Sequence, residues 1–198
     1  MLDLKNKTIA EIVSDDISTA SVFKKYKLDF CCGGGKTVEN ACKKANINVD
    51  EVVNDLMNNK PKSDSPNLNF KDWSAEFLAD YIVYVHHTYI KQNLSIISEF
   101  AEKVASVHGQ HEPKTIEIAQ LFSAISSELT THMRKEEFVL FPAIKAKTEN
   151  YNFEFDEKAL SLIEDEHEEV GNMIKKIQEL SADFTPPEWA CSTFKALY

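Results

Sequence analysis

Residues 118–139 read IAQLFSAISSELTTHMRKEEFV, and their pattern predicts a long helix in the second half of the chain. Its apolar residues recur at steps of three, four and seven, the spacing that places side chains on one face of an α-helix. That face carries His132 and Glu136 among the apolar residues Ile118, Ile125, Leu129 and Val139. Two ionisable side chains therefore occupy a stripe that should be buried. Glu137 shares a column with Ser126, Thr130 and Met133 and is predicted to face solvent.

Two further helical patterns each place a histidine in an apolar stripe. In the first of them, the adjacent His86 and His87 must diverge, because neighbours on a helix are rotated by about 100 degrees. His87 shares its column with Val83, Ile90, Leu94 and Ile97. His167 occupies one position of a three-four alternation with Leu160, Ile163, Val170, Ile174 and Ile177. We therefore predict that His87 and His167 point inward and that His86 flanks them.

These inward positions indicate a metal site inside a helical bundle. A carboxylate in an apolar interior costs roughly several kcal/mol unless a positive charge neutralises it, and imidazole and carboxylate are common metal ligands. A single histidine on an apolar face is more often a hydrogen-bonded core residue than a ligand. That alternative would have to account for Glu136 and for histidines on three separate helices at once, so we favour the metal site.

The composition is that of an acidic, mainly helical protein long enough for one or two domains. Its 198 residues include only five glycines and six prolines, and the formal net charge is −10. This charge argues against a nucleic-acid partner and against binding to an anionic membrane surface. No stretch approaches the ~18 apolar residues of a membrane span, and the N-terminus does not resemble a signal peptide. We therefore expect a cytoplasmic protein with reduced cysteines.

A change of composition near residue 61 predicts a domain boundary. Residues 61–67 read PKSDSPN, a polar run with a proline near each end, which is typical of a linker. It would separate a small helical domain over 1–60 from a larger domain over 68–198. In the small domain, Thr8 with Glu11 indicates a capping box, and Thr37 can cap a helix. About 60 residues make a marginal core.

The small domain contains an unusual segment, because residues 28–36 read LDFCCGGGK. Three successive glycines let the backbone approach a ligand closely, and the helix that follows favours a nearby anion at its N-terminus. Such surroundings favour the thiolate forms of Cys31 and Cys32, which would then act as nucleophiles, redox groups or soft metal ligands. The alternative is a glycine-rich turn with two small buried side chains.

Taken together, these motifs resemble those of the di-iron iron-sulfur cluster repair proteins called the Repair of Iron Centres family. The resemblance rests on the Asp-Phe-Cys-Cys-Gly-Gly-Gly segment, the His86-His87 pair, the run HMRKEEFVLFP over 132–142, and Glu166-His167-Glu168. It covers essentially the whole chain. It implies an all-α protein in which a small N-terminal helical domain precedes a hemerythrin-like, up-down four-helix bundle that holds two non-haem irons.

The resemblance also implies roles for individual residues. By position, the metal ligands would be His87, His132, Glu136 and His167, with Glu136 bridging the two irons. Cys31 and Cys32 match the cysteine pair of the family and would serve in iron transfer or redox chemistry. His86 and His108 are secondary candidates, and His108 is predicted to lie in a loop near the metal.

The fourth helix departs from this pattern. Thr185-Pro186-Pro187-Glu188 resembles a helix start, yet the sequence ends at Tyr198 after barely three turns. The family has a further His-x-x-x-Glu pair in this helix, which is not found here. We therefore expect a truncated fourth helix and an incomplete site that holds a single or weakly bound metal, or none. The open face would be covered by dimerisation or by swapping helices.

Two functions follow from the resemblance. In the first, the protein acts under nitrosative and oxidative stress and donates iron to damaged iron-sulfur proteins, its clients. In the second it is an enzyme that reduces nitric oxide at the di-iron centre. A hemerythrin-like carrier or sensor of oxygen or nitric oxide is a third interpretation, for which the cysteine domain would be superfluous.

Overall fold

The computed structural model describes residues 2–30, 33–59, 70–148 and 157–198. Over these residues the protein is helical, with no β-strand and one isolated bridge between Thr8 and Thr37, so the all-α prediction is confirmed. Two compact units divide the chain, residues 1–74 and residues 75–198. None of the described helices is both long enough and apolar enough to cross a bilayer.

The division between the units differs in detail from the predicted boundary. The predicted linker, residues 61–67, lies outside the described residues, so its linker character stays a prediction. The described residues 70–74 belong to the first unit, whereas the sequence assigned everything from residue 68 to the second domain.

The first unit consists of short helices around one apolar core. Its helices are α1 (Leu2–Asn6), α2 (Ile9–Asp15), α3 (Ala20–Lys25), α4 (Val38–Ala45) and α5 (Val49–Asn58), with 3₁₀ turns at Ile17–Thr19 and Phe70–Asp72. The predicted capping box is present, since the Thr8 hydroxyl accepts from the Glu11 backbone N–H while the Glu11 carboxylate accepts from the Thr8 backbone N–H. Thr37 caps α4 through the Asn40 backbone N–H. The core is formed mainly by Ile9, Phe23, Val38, Val52, Val53 and Leu56.

The second unit is built from three long helical rods and one short helix. The first rod runs through α6 (Ala75–Tyr81), a π-helical segment (Ile82–His87) and α7 (Thr88–His108). The second runs through α8 (Lys114–Lys135), a π-helical segment (Glu136–Leu140) and α9 (Phe141–Thr148). The third is α10 (Glu157–Leu180), and the short helix is α11 (Ser192–Leu197). α8 packs against both α7 and α10, α6 packs against α9, and α11 packs against α7.

The two π-helical segments change the helical register where the candidate ligands lie. His87 ends the first segment and Glu136 begins the second. A π-helical turn is wider than an α-helical one, so residues beyond its start no longer continue the α-helical stripe. Val139, which the sequence placed on the buried stripe, is accordingly 65% exposed.

The last helix begins later than the sequence indicates. Residues 185–191 are not helical, a turn closes with the Ala190 N–H donating to the Pro187 carbonyl, and α11 begins at Ser192. A residue that precedes proline is disfavoured in the α region, so Pro186 before Pro187 makes a poor helix start. Phe194 anchors the six-residue helix in a small core with Val104 and Ala190.

Candidate metal centre

Four side chains converge inside the second unit. They are His132 and Glu136 from the second rod, His87 from the first and His167 from the third. His87 Nε2 lies 2.9 Å from Glu136 Oε2, on one side of that carboxylate. On the other side, His132 Nε2 lies 3.4 Å from Glu136 Oε1. His167 Nε2 in turn lies 2.7 Å from His132 Nε2. The structure thus brings together all four residues that the sequence proposed as ligands.

Burial differs among these four side chains. His87, His132 and Glu136 are 3%, 5% and 8% exposed, whereas His167 is exposed. The sequence predicted that His167 would be buried in its apolar stripe, and this part of the prediction is wrong. The physical reason is that α10 packs mainly against α8, so the side of His167 turned away from α8 is open to solvent.

Glu137, predicted to face solvent, contacts the site. Its Oε1 lies 2.8 Å from His87 Nδ1 and accepts a hydrogen bond from Lys91 Nζ at 2.6 Å. Consecutive glutamates thereby contact both nitrogens of one imidazole, Glu136 at Nε2 and Glu137 at Nδ1. Met133 lies one turn before Glu137 on the same column of the helix and is 2% exposed, so this face of the second rod already turns inward at Glu137.

Glu166 contacts His132 in the way that Glu137 contacts His87. Its Oε2 lies 2.8 Å from His132 Nδ1, and its other oxygen forms an ion pair with Lys135. An acidic run on a helix, such as residues 164–166, is usually a solvated face. The only sequence signal for this contact was that Glu166 directly precedes His167. Helix periodicity does not show which side chain on another helix a carboxylate contacts.

The charges of the site shift the pKa values of its groups in consistent directions. The hydrogen bond to Glu136 raises the pKa of the His132 imidazole, against the opposing effect of burial. Burial raises the pKa of the Glu136 carboxyl, but the hydrogen bonds and charges of His132 and His87 outweigh it and hold this pKa below its ordinary value. The hydrogen bond from Lys91 lowers the pKa of Glu137. These carboxylates are therefore charged near neutral pH.

The donor set fits a cation. One nitrogen from His132, one from His167 and one oxygen from Glu136 all lie within 4.8 Å of one another. Two nitrogens bound to one ion at about 2.1 Å each, at right angles, would be about 3 Å apart, which is near the observed 2.7 Å. Because His87 and His132 each contact a carboxylate through Nδ1, their Nε2 atoms are the ones available to a metal.

The secondary candidates lie elsewhere. His86 is exposed, and its ring contacts Tyr81 edge-on. His108 is the last residue of α7 and not part of a loop, about 30 Å along the rod from His87. There it lies 3.5 Å from Cys191 Sγ and against the ring of Phe194. Cys31 and Cys32 lie outside the described residues.

Comparisons with known proteins agree with this architecture. Residues 78–198 match the family described as hemerythrin HHE cation binding domain, and residues 5–60 match ScdA_N, a domain of unknown function (DUF542). A probable iron-sulfur cluster repair protein of Haemophilus influenzae is 31% identical over 100% of this chain and 87% of its own length.

Two further relatives carry similar names. The iron-sulfur cluster repair protein YtfE of Yersinia pseudotuberculosis is 31% identical over 100% of this chain and 87% of its own length. The iron-sulfur cluster repair protein ScdA of Staphylococcus haemolyticus is 29% identical over 96% of this chain and 85% of its own length. The chain therefore belongs to the family of iron-sulfur cluster repair proteins that join an ScdA_N domain to a hemerythrin HHE cation binding domain.

Proposed function

We propose that this protein supports the repair of damaged iron-sulfur clusters with non-haem iron held at His132, His167, Glu136 and His87. The names of the relatives support the process, and the hemerythrin-like domain supports the metal. The convergence of three imidazoles on one buried carboxylate carries the proposal, since such a group is stable in an apolar interior only when its charge is compensated.

The orientation of Glu136 supports a di-iron centre in preference to a single ion. One carboxylate oxygen faces His87 and the other faces His132, so the same side chain can serve two cations. The two sides of Glu136 offer different numbers of metal-binding atoms. The His132 side offers two imidazoles and one oxygen, whereas the His87 side offers one imidazole and one oxygen. We infer that the first position binds iron more tightly than the second.

The surrounding residues hold these donors in place. Glu137, supported by Lys91, orients His87, and Glu166, supported by Lys135, orients His132. Such partners set the imidazole tautomer and raise its basicity as a ligand. Bound iron would supply exchangeable ions and redox chemistry, and the exposed edge of His167 is the side from which iron could leave.

The test is iron transfer to the metal-free form of a [4Fe-4S] protein, with inorganic sulfide and a thiol reductant supplied in solution. Iron-loaded protein should restore the client cluster, His132→Ala should lose the iron, and Cys31→Ser with Cys32→Ser should keep the iron but transfer it poorly. Cys191→Ser is the matched control, because this cysteine is exposed and distant from the site. Equal client activation by wild type and His132→Ala would contradict the proposal.

Nitric oxide reduction is a second candidate, favoured by the exposure of His167. A ligand exposed to solvent leaves one side of the centre accessible to a small diatomic molecule. This function would produce nitrous oxide from nitric oxide with the reduced, iron-loaded chain, and the activity would survive loss of Cys31 and Cys32. Iron donation predicts the opposite dependence on the two cysteines.

We also propose a cytoplasmic location and a homodimer. The exposed apolar side chains Tyr84, Phe138 and Val139 of the second unit are consistent with a surface that a partner covers. Sedimentation velocity of the wild type and of Phe138→Ser tests the dimer, which the substitution should weaken.

A further inference from the structure

The second unit contains an apolar cavity of about 190 Å³ at the end of the bundle that α11 closes. Its walls come from all three rods, with Ile97 on α7, Ile118 and Phe122 on α8, and Ile177 on α10. Tyr198 lies at the α11 end. A cavity with such walls is more favourable for an uncharged apolar guest than for water, because water needs two to four polar partners.

One polar atom on the wall has no partner. The hydroxyl oxygen of Tyr198 is buried and makes no hydrogen bond with any described residue. The other polar side chain of the wall is satisfied, since the Ser181 hydroxyl donates to the Gln178 carbonyl and accepts from the Phe184 N–H. A buried hydroxyl normally finds a partner, so the O–H of Tyr198, a residue that lines the cavity, is a donor available to an occupant.

The cavity is separate from the metal centre. Ile97, Phe122 and Ile177 each lie ten residues along their rods from His87, His132 and His167, which is about 15 Å. Buried apolar layers that include Ile125 and Val170 lie between the two positions. Neither the imidazoles nor Glu136 line the cavity. A molecule bound there would therefore contact no candidate iron ligand.

We propose that this cavity is a binding site for a small uncharged, mainly apolar molecule that carries one hydrogen-bond acceptor, which the Tyr198 hydroxyl contacts. The size supports this class, because apolar cavities of roughly 150 Å³ bind benzene. The single donor supports one acceptor atom and disfavours ions or sugars, which need several polar partners. Since the rods that line the cavity also carry the ligands, an occupant stabilises the packing of the metal-binding bundle.

The test uses the full chain with ¹³C-labelled isoleucine methyl groups, and cyclohexanone and cyclohexane as probes. Ile97, Ile118 and Ile177 line the cavity, while Ile9 and Ile12 belong to the core of the other unit and act as internal controls. Both probes should give saturable shifts at the three lining isoleucines only. Both should also raise the melting temperature as their concentration increases.

Three variants separate the contribution of the Tyr198 hydroxyl to binding from that of the cavity space. Tyr198→Phe should weaken cyclohexanone binding about three- to tenfold and leave cyclohexane binding unchanged, because only the ketone accepts a hydrogen bond. Ala101→Leu fills the cavity and should abolish binding of both probes. Ala124→Leu, the same change at an exposed site of α8, should have no effect.

The proposal is overturned if neither probe gives saturable shifts at the lining isoleucines. It is overturned equally if Tyr198→Phe weakens both probes alike, since the hydroxyl would then not be the specific partner. Should Ala101→Leu not fold, the comparison of the two probes on Tyr198→Phe still decides. None of these measurements depends on iron, so failure here leaves the repair proposal untouched.

Discussion

Replacing Glu137 by alanine should weaken iron binding without removing any residue that contacts the metal. In the structure Glu137 meets His87 Nδ1 at 2.8 Å and is itself held by Lys91 at 2.6 Å. Its loss leaves a buried imidazole nitrogen without its acceptor, so His87 can rotate and either ring nitrogen can carry the proton. The His87 side of Glu136 would then lose its only imidazole donor for part of the time.

Loss of such a supporting carboxylate typically costs 10- to 100-fold in metal affinity, or about 1.4 to 2.7 kcal/mol. Glu137→Gln should fall between alanine and wild type, because an amide oxygen still accepts from Nδ1–H but carries no charge. Lys91→Ala should cost less than Glu137→Ala, since this lysine is half exposed and water can replace it. Competition for Fe²⁺ against a chromophoric chelator measures all three affinities.

Glu128→Ala is the matched control, because Glu128 is exposed on the same rod. It should bind iron like the wild type. If Glu137→Ala retains wild-type iron affinity while circular dichroism shows an intact fold, then Glu137 does not position His87, and the assignment of His87 as a ligand weakens with it.

Three further outcomes follow from the same structure. His87→Ala should lower the iron content of the purified protein, whereas His86→Ala should not, as metal analysis of the two variants would reveal. In the metal-free protein, the raised pKa of His132 adds stability below its ordinary value of 6.5 that is lost as pH rises. The lowered pKa of Glu136 adds stability above 4.5 that is lost as pH falls, so thermal unfolding should show greatest stability between these values. Ile125→Ala removes a fully buried side chain and should cost about 2 to 5 kcal/mol in urea unfolding, far more than the same change at an exposed isoleucine.

Helix periodicity placed three of the four candidate ligands facing inward, as the structure does, but wrongly predicted that His167 is buried. It selected His87 over His86, and the structure buries the first and exposes the second. It also put His132 and Glu136 on one inward face, where both are buried. The prediction for Val139 was wrong because a π-helical turn cannot be read from the pattern of apolar residues. The prediction for Glu137 was wrong because its contact with His87 lies across two rods.

Residue spacing along single helices was enough to predict the all-α class, the rods, and which histidines and which glutamate approach one another. Three features came from the packing of the helices instead: Glu137 and Glu166 hold the imidazoles, His167 is exposed, and a cavity lies beneath Tyr198. These features depend on how far one helix extends beside another and on which side chains meet across the gap, and no spacing within one helix encodes that.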